Sequence, residues 1–164
     1  MEPTVALMTA FILNLTGEFP EVNFLSTEMV SSWLRDPATD LLVLDARSRE
    51  EFDVSHIEGA NQIEPNTKTD QLVSELKRHQ ILNSTNILLY SALGKRAAQM
   101  AQSLQTGLDG PTVYVMAGSI FKWANEGRPL INWLNHKTKF VNPVSQKQAQ
   151  YLKKGLSQKY ISDI

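Results

Sequence analysis

The chain of 164 residues contains no cysteine, which excludes disulfide bonds, thiolate metal ligands and thiol chemistry. It has only three histidines, so we expect neither a metal site nor another cofactor. Residues 5–15 are uncharged and mostly apolar, but they are too few to span a bilayer. No basic residue precedes them as in a signal peptide. We therefore expect them to form a helix or strand packed on the domain, in the cytoplasm or an equivalent soluble compartment.

Basic residues are scarce over most of the chain. Residues 1–134 hold ten basic and sixteen acidic groups, a net charge of −6, whereas residues 135–164 hold six lysines and one acid, a net charge of +5. Because the main body shows no basic face, we expect no nucleic-acid partner. The length suits one domain with a full core. We predict an N-terminal extension (1–20), a central domain (21–134) and a basic, helical C-terminal extension (135–164).

Short apolar segments alternate with amphipathic segments along the central domain. Strands are predicted at 22–25, 41–44, 87–90 and 112–115, with helices beginning near Ser26, Thr69 and Lys95. This alternation predicts an α/β fold of three layers, a mostly parallel sheet with helices on both faces. Ligands of such sheets lie at the carboxyl ends of the strands. Asp45 and Ser91 both follow strands, so we expect them to lie at one site.

The segment that follows the third predicted strand has the pattern of an anion-binding loop. A buried strand leads through a tight turn into a helix, so backbone N–H groups and the positive end of the helix dipole face one point. Arg96 would add a fixed positive charge, and Ser91 would lie at the entrance. The expected anion-binding residues are Ser91, Ala92, Leu93, Gly94, Lys95 and Arg96.

Residues 91–96, Ser-Ala-Leu-Gly-Lys-Arg, resemble the active-site loop Cys-x-x-Gly-x-Arg of rhodanese-like sulfurtransferases. Residues 42–52 with 56–60, and residues 113–130, are similar to the amino- and carboxy-terminal signatures of that family. The resemblance implies the family's α/β fold. It also implies a site where a cysteine thiolate takes sulfur from a donor such as thiosulfate and passes the persulfide to an acceptor. Ser91 occupies the position of that cysteine.

Four residues near the loop, Asp45, Arg47, Glu50 and His56, have charged or titratable side chains. For Asp45, a role as catalytic acid competes with a structural one. We expect the Asp45 carboxylate to accept hydrogen bonds from loop amides, and Arg47 and Glu50 to form structural ion pairs. The resemblance implies a structural role for His56, and the alternative is a general base for Ser91. A serine hydroxyl cannot form a persulfide, and it is a poor nucleophile without an adjacent base.

Two functional hypotheses follow. The first is a rhodanese-like domain that is catalytically silent and binds a sulfur-containing or other oxyanion, or a protein partner, in a binding or regulatory role. The second is an active thiosulfate or persulfide sulfurtransferase whose cysteine was changed to serine.

The C-terminal extension has apolar residues at Val144, Leu152, Leu156 and Tyr160, separated by multiples of four. This spacing predicts an amphipathic helix with its lysines largely off the apolar face. A basic amphipathic helix could lie on a membrane. We expect it instead to fold back on the domain, because its charge of +5 complements the −6 of the remainder.

Overall fold

The computed structural model describes residues 2–81 and 84–161. Five parallel strands form the central sheet in the order β1-β5-β4-β2-β3, and two further strands pair in an antiparallel hairpin. The sheet strands are β1 Asn23–Leu25, β2 Leu41–Asp45, β3 Asn61–Gln62, β4 Asn86–Tyr90 and β5 Thr112–Met116, and the hairpin strands are β6 Leu130–Ile131 and β7 Lys137–Thr138. The helices are α1 Pro3–Glu18, α2 Thr27–Arg35, α3 Arg49–Val54, α4 Thr69–Arg78, α5 Lys95–Gly107, α6 Ser119–Asn125 and α7 Gln146–Ala149.

Strand β4 lies at the middle of the sheet, and its residues alternate between two cores. Ile87 and Leu89 pack in the cluster that contains the apolar residues of α4 and α5, whereas Leu88 and Tyr90 pack in the cluster that contains those of α2 and α6. All four are fully buried, as expected of a parallel strand covered on both faces. The predicted three-layer α/β fold is therefore confirmed.

Local hydrogen bonds fix where the helices begin. The Ser26 hydroxyl accepts a hydrogen bond from the Met29 amide at 3.0 Å, so Ser26 is the predicted N-cap of α2. Ser48 and Glu51 form a reciprocal capping box at the start of α3. The ion pair predicted for Glu50 is wrong: Glu50 is exposed, and it forms no salt bridge within residues 2–81 and 84–161. Glu51, one position later, is the residue that orders this turn.

The apolar N-terminal segment forms helix α1, which packs on the domain as predicted. Met8 and Leu15 are buried, Met8 in the core that contains α6 and Leu15 against Ala98 of α5. In the described part of the chain, no helix is long and apolar enough to cross a membrane.

The C-terminal extension packs on the same core, but the prediction of a long helix is wrong. Within residues 135–161, the only α-helix is α7, which has four residues. Val144 and Gly155 have φ angles of +67° and +90°, which a right-handed helix cannot contain. Beyond α7, the backbone of the extension forms hydrogen bonds with the domain instead. Asn125 Nδ2 donates to the Tyr151 carbonyl, and Asn125 Oδ1 accepts from the Lys153 amide, at 2.8 Å each.

The apolar residues whose spacing predicts the helix therefore do not share one face. Leu152 is buried in the core that contains Met8, whereas Val144 and Tyr160 are exposed. Both flanking segments thus contribute to the folded body. The division at residues 20 and 134 stays a prediction.

Candidate functional site

Ser91 lies at the carboxyl end of β4 and forms the floor of the loop. Its side chain is buried, with the residue only 4% exposed, so the predicted position at the entrance is wrong. The Ser91 Oγ accepts hydrogen bonds from the backbone N–H groups of Gly94 at 3.1 Å and Ala97 at 3.3 Å. The loop therefore wraps around this oxygen.

Four further amides of the loop differ from these two in their hydrogen bonding. In the described residues, no hydrogen bond is donated by the backbone N–H groups of Ala92, Leu93, Lys95 and Arg96. The last two belong to the first turn of α5, where N–H groups have no intrahelical acceptor and the helix dipole is positive. This arrangement favours an anion, as the sequence predicts.

Gly94 closes the loop in a conformation that other residues adopt only with strain. Its φ is +118°, and a Cβ there would lie 3.2 Å from Leu15 Cδ2. We expect Gly94→Ala to lower the free energy of unfolding by about 1 to 3 kcal/mol, because both the backbone conformation and the contact are unfavourable.

Urea unfolding measures this loss, and Gly17→Ala is the matched control. A Cβ at Gly17 meets nothing within 4 Å, and the residue lies inside helix α1. That control should be neutral or stabilising by up to about 1 kcal/mol. Equal effects of the two substitutions would contradict the strain at Gly94.

Ser119 holds the loop from behind, and sequence reasoning missed it. Its Oγ accepts a hydrogen bond from the Ser91 amide at 3.2 Å and donates one to the Met116 carbonyl at 3.0 Å. Ser119 is fully buried and has a φ of +49°. The amides of Ile120 and Phe121 donate to the Ser91 and Ala92 carbonyls. Only the tertiary position of α6 identifies this role, since the local sequence carries no distinguishing signal.

Asp45 and Arg47 form a buried ion pair beside the loop. The Asp45 carboxylate accepts bonds from the Arg47 amide at 3.0 Å, Nε at 3.0 Å and Nη2 at 2.8 Å. Arg47 Nη2 also donates to the Ser55 carbonyl. Burial alone would lower the pKa of the Arg47 guanidinium, but attraction to Asp45 outweighs it and raises that pKa. Both expected supporting residues therefore act structurally, and Asp45 bonds a loop amide as predicted.

No general base contacts Ser91 within the described residues, where both hydrogen-bond partners of its Oγ are amide donors. Tyr90 is adjacent in sequence, but burial raises the pKa of its phenol well above 10, so it stays neutral. Its hydroxyl accepts a bond from the Ile57 amide at 3.1 Å. No cluster of three acidic or histidine side chains able to hold a metal ion occurs in the described residues.

His56 lies two residues beyond α3 and is held by Phe52 of that helix. Its ring stacks on Phe52 with centroids 3.7 Å apart, and its Nδ1 lies 2.7 Å from the Phe52 carbonyl oxygen. Its backbone bridges to Ile131. Burial lowers the pKa of His56 from the ordinary value of 6.5. These contacts are structural.

The lowered pKa of His56 predicts a loss of stability in mild acid. Between the folded and unfolded pKa values, the unfolded chain binds more protons, so the free energy of unfolding falls as the pH drops below about 6.5. Urea unfolding between pH 7.5 and 5 should show this slope, and His56→Gln should reduce it. The exposed His136→Gln is the control. A slope unchanged by His56→Gln would contradict this assignment.

The loop opens into a cavity of about 630 Å³. Arg96 is exposed at its edge, where its Nη1 donates to the Pro65 carbonyl at 3.2 Å. Lys95 and Arg47 also line it. The structure thus brings the loop residues, Arg96 and the Asp45–Arg47 pair to one place, whereas His56 is not among the residues that line the cavity.

The family signature covers most of this framework, because the model of the rhodanese-like domain matches residues 26–126. The chain belongs to the rhodanese-like domain family. Solved structures of similar fold include a thiosulfate sulfurtransferase from Pseudomonas aeruginosa, with a TM-score of 0.62 and 21% identity over 88% of this chain and 26% of that one. Another is a Bacillus halodurans protein, with a TM-score of 0.58 and 21% identity over 77% of this chain and 88% of that one.

A tRNA uridine(34) hydroxylase from Photorhabdus laumondii subsp. laumondii is 31% identical over 114 residues. These residues are 69% of this chain but only 30% of the hydroxylase. The chain thus spans less than a third of that relative.

Proposed function

We propose that this rhodanese-like domain binds a small oxyanion at residues 91–96 and does not transfer sulfur. The main support for this proposal is the arrangement of backbone amides in the loop. It surrounds a neutral serine oxygen with two amides and leaves four more amides, two in the loop and two at the start of α5, without a partner in the described residues. A negative ligand satisfies those donors and the dipole of the helix.

The same geometry argues against catalysis by Ser91. Sulfur transfer needs a thiolate, which serine does not have. Activation of the hydroxyl would need an adjacent base, and the neighbouring candidates, Tyr90 and His56, have other hydrogen-bond partners. Binding is therefore the function that these residues support.

A second candidate is a sulfurtransferase in which serine replaced the cysteine. Two features favour it: the strained Gly94 and the positive Arg96 are both present, whereas an abandoned catalytic site would be free to lose them. The nucleotide sequence of the parental gene at codon 91 distinguishes the two candidates.

Calorimetric titration with thiosulfate at low ionic strength tests the binding proposal. We expect weak binding that falls roughly tenfold in Arg96→Ala, which corresponds to about 1.4 kcal/mol. Arg78→Ala is the matched control, because Arg78 is an exposed arginine on α4 that does not line the cavity. Absence of binding, or equal weakening in both variants, would overturn the proposal.

A further inference from the structure

The cavity above the loop has two walls of different origin. One wall is formed by residues 91–96 and Pro65, which lie inside the region that matches the family. The other is formed by Phe11 of α1 and by residues 144–151, which lie outside that region. We call residues 144–151 the C-terminal wall. The segments that flank the family domain therefore form one side of this site.

The size of the cavity exceeds what an inorganic oxyanion needs. Its volume of about 630 Å³ equals roughly twenty waters at about 30 Å³ each, and it falls within the range of sites for organic ligands. An ion of five heavy atoms at the loop would leave most of this space to solvent. The remainder suits a ligand body that extends toward the C-terminal wall.

The charges around the cavity suit a dianion. Lys95, Arg96 and Lys147 line it with three positive charges, against one negative charge from Glu51, and Lys95 also pairs with Glu18 at 3.7 Å. Arg47 also lines it, but its charge is matched by Asp45. In the described residues, Lys147 and Arg96 form no salt bridge. A phosphomonoester carries about −1.5 to −2 at neutral pH, which complements the positive charges of Arg96 and Lys147.

The apolar lining suits a flat ligand body. Phe11 and Tyr151 meet edge to face, with ring centroids 5.4 Å apart, and both line the cavity. Ala92, Leu93 and Val144 extend this apolar surface between the loop and the C-terminal wall. Aromatic rings of this kind provide area for an apolar ligand at low entropic cost.

Two buried polar atoms of lining residues lack hydrogen-bond partners. They are Arg47 Nη1, on a residue only 2% exposed, and Gln148 Oε1 in the C-terminal wall. Buried polar groups are normally satisfied, so each such exception needs a cause. A ligand that offers both an acceptor and a donor, or a water that it holds, would satisfy them.

The C-terminal wall also contains backbone strain. Val144 has a φ of +67°, which is an outlier for a β-branched residue. The turn is held by its neighbours, since Asn142 Oδ1 accepts from the Val144 amide and the Pro143 carbonyl accepts from the Ser145 amide. Strain of this kind concentrates at ligand sites.

We propose that the cavity binds an organic phosphomonoester with a flat apolar body. The phosphate lies at residues 91–96, the body lies against Phe11 and Tyr151, and Lys147 supplies charge from the C-terminal wall. This inference rests on the proposed function, because the phosphate occupies the same anion site.

Titration of the full chain with phenyl phosphate, methyl phosphate and phenyl sulfate tests each part. Phenyl phosphate should bind about tenfold more tightly than methyl phosphate, which has the same charge but no flat body. It should also bind severalfold more tightly than phenyl sulfate, which has one charge. Lys147→Ala should weaken phenyl phosphate binding severalfold, whereas Lys154→Ala should not. Lys154 is an exposed lysine of the same extension that does not line the cavity.

The outcomes bear on both proposals, oxyanion binding by the loop and phosphomonoester binding in the cavity. If methyl and phenyl phosphate bind equally, and both depend on Arg96, the anion site stands but this inference is overturned. If Lys147→Ala and Lys154→Ala weaken binding equally, general electrostatics explains the charge preference and the role of Lys147 is overturned. If none of the probes and no thiosulfate bind, both proposals fail together.

Discussion

Ser91→Cys is expected to give the chain sulfurtransferase activity, and the unsubstituted chain, which has no cysteine, is expected to show none. The sulfur would occupy the site of an oxygen that accepts two amide bonds at 3.1 and 3.3 Å, so only a few tenths of an ångström of adjustment are needed. Amides, helix dipole and Arg96 favour the thiolate, so the pKa of the thiol should fall below about 8.5.

The expected reaction is displacement at sulfur. The thiolate of the Ser91→Cys variant would attack the outer sulfur of thiosulfate, an S–S bond would form, and sulfite would leave with the electron pair of the broken S–S bond. Cyanide would then take the outer sulfur as thiocyanate and regenerate the thiolate. The donors that favour the thiolate also stabilise the persulfide anion between these steps.

Thiocyanate production measures the gain, and intact-mass analysis detects the one added sulfur atom. Ser91→Ala is the control for background reaction. Adding Arg96→Ala to Ser91→Cys should slow loading about tenfold without unfolding the chain, because Arg96 is exposed. A folded Ser91→Cys protein that gains neither mass nor activity would show that the loop does not activate a thiol.

Asp45→Asn is expected to cause the largest loss of stability of any single substitution considered. Arg47 keeps its charge at all accessible pH values, and its side chain is only 1% exposed. Without the carboxylate, a buried guanidinium loses its counter-charge, which typically costs about 3 to 5 kcal/mol. The free energy of unfolding of a domain is about 5 to 15 kcal/mol, so the loss is a large fraction of the total.

Urea unfolding at pH 7 measures this effect. Asp53→Asn is the matched control, because it removes the same group from a partly exposed pair in which Asp53 lies 3.9 Å from Arg49. That control should cost at most about 1 kcal/mol. If Asp45→Asn and Asp53→Asn lower the free energy of unfolding equally, the Asp45–Arg47 ion pair does not stabilise the carboxyl end of β2.

Local sequence patterns predicted the framework of the site. The apolar run before Asp45 and the run before Ser91 both formed buried parallel strands whose carboxyl ends meet, since the Ala46 amide donates to the Tyr90 carbonyl. Helix α5 begins at Lys95, as predicted, so Lys95 and Arg96 lie in its first turn. These features depend on short-range propensity and burial, which a sequence records directly.

The second wall of the cavity could not be predicted in this way. The spacing of Val144, Leu152 and Leu156 has a helical period, but the strained turn at Val144 and the backbone bonds of Val141 to residues 156 and 158 override it. The contact of Phe11 with Tyr151 joins residues far apart in sequence. Such contacts follow from tertiary packing, which local periodicity does not encode.

Amide NMR during a thiosulfate titration detects anion binding by residues 91–96 at each amide separately. The amides of Ala92, Leu93, Lys95 and Arg96 should shift first and saturate together, because they have no other partner in the described residues. Arg96→Ala should move that saturation to higher thiosulfate concentration. Shifts that begin in the lysine-rich residues 153–159 and leave the loop unchanged would contradict anion binding by residues 91–96.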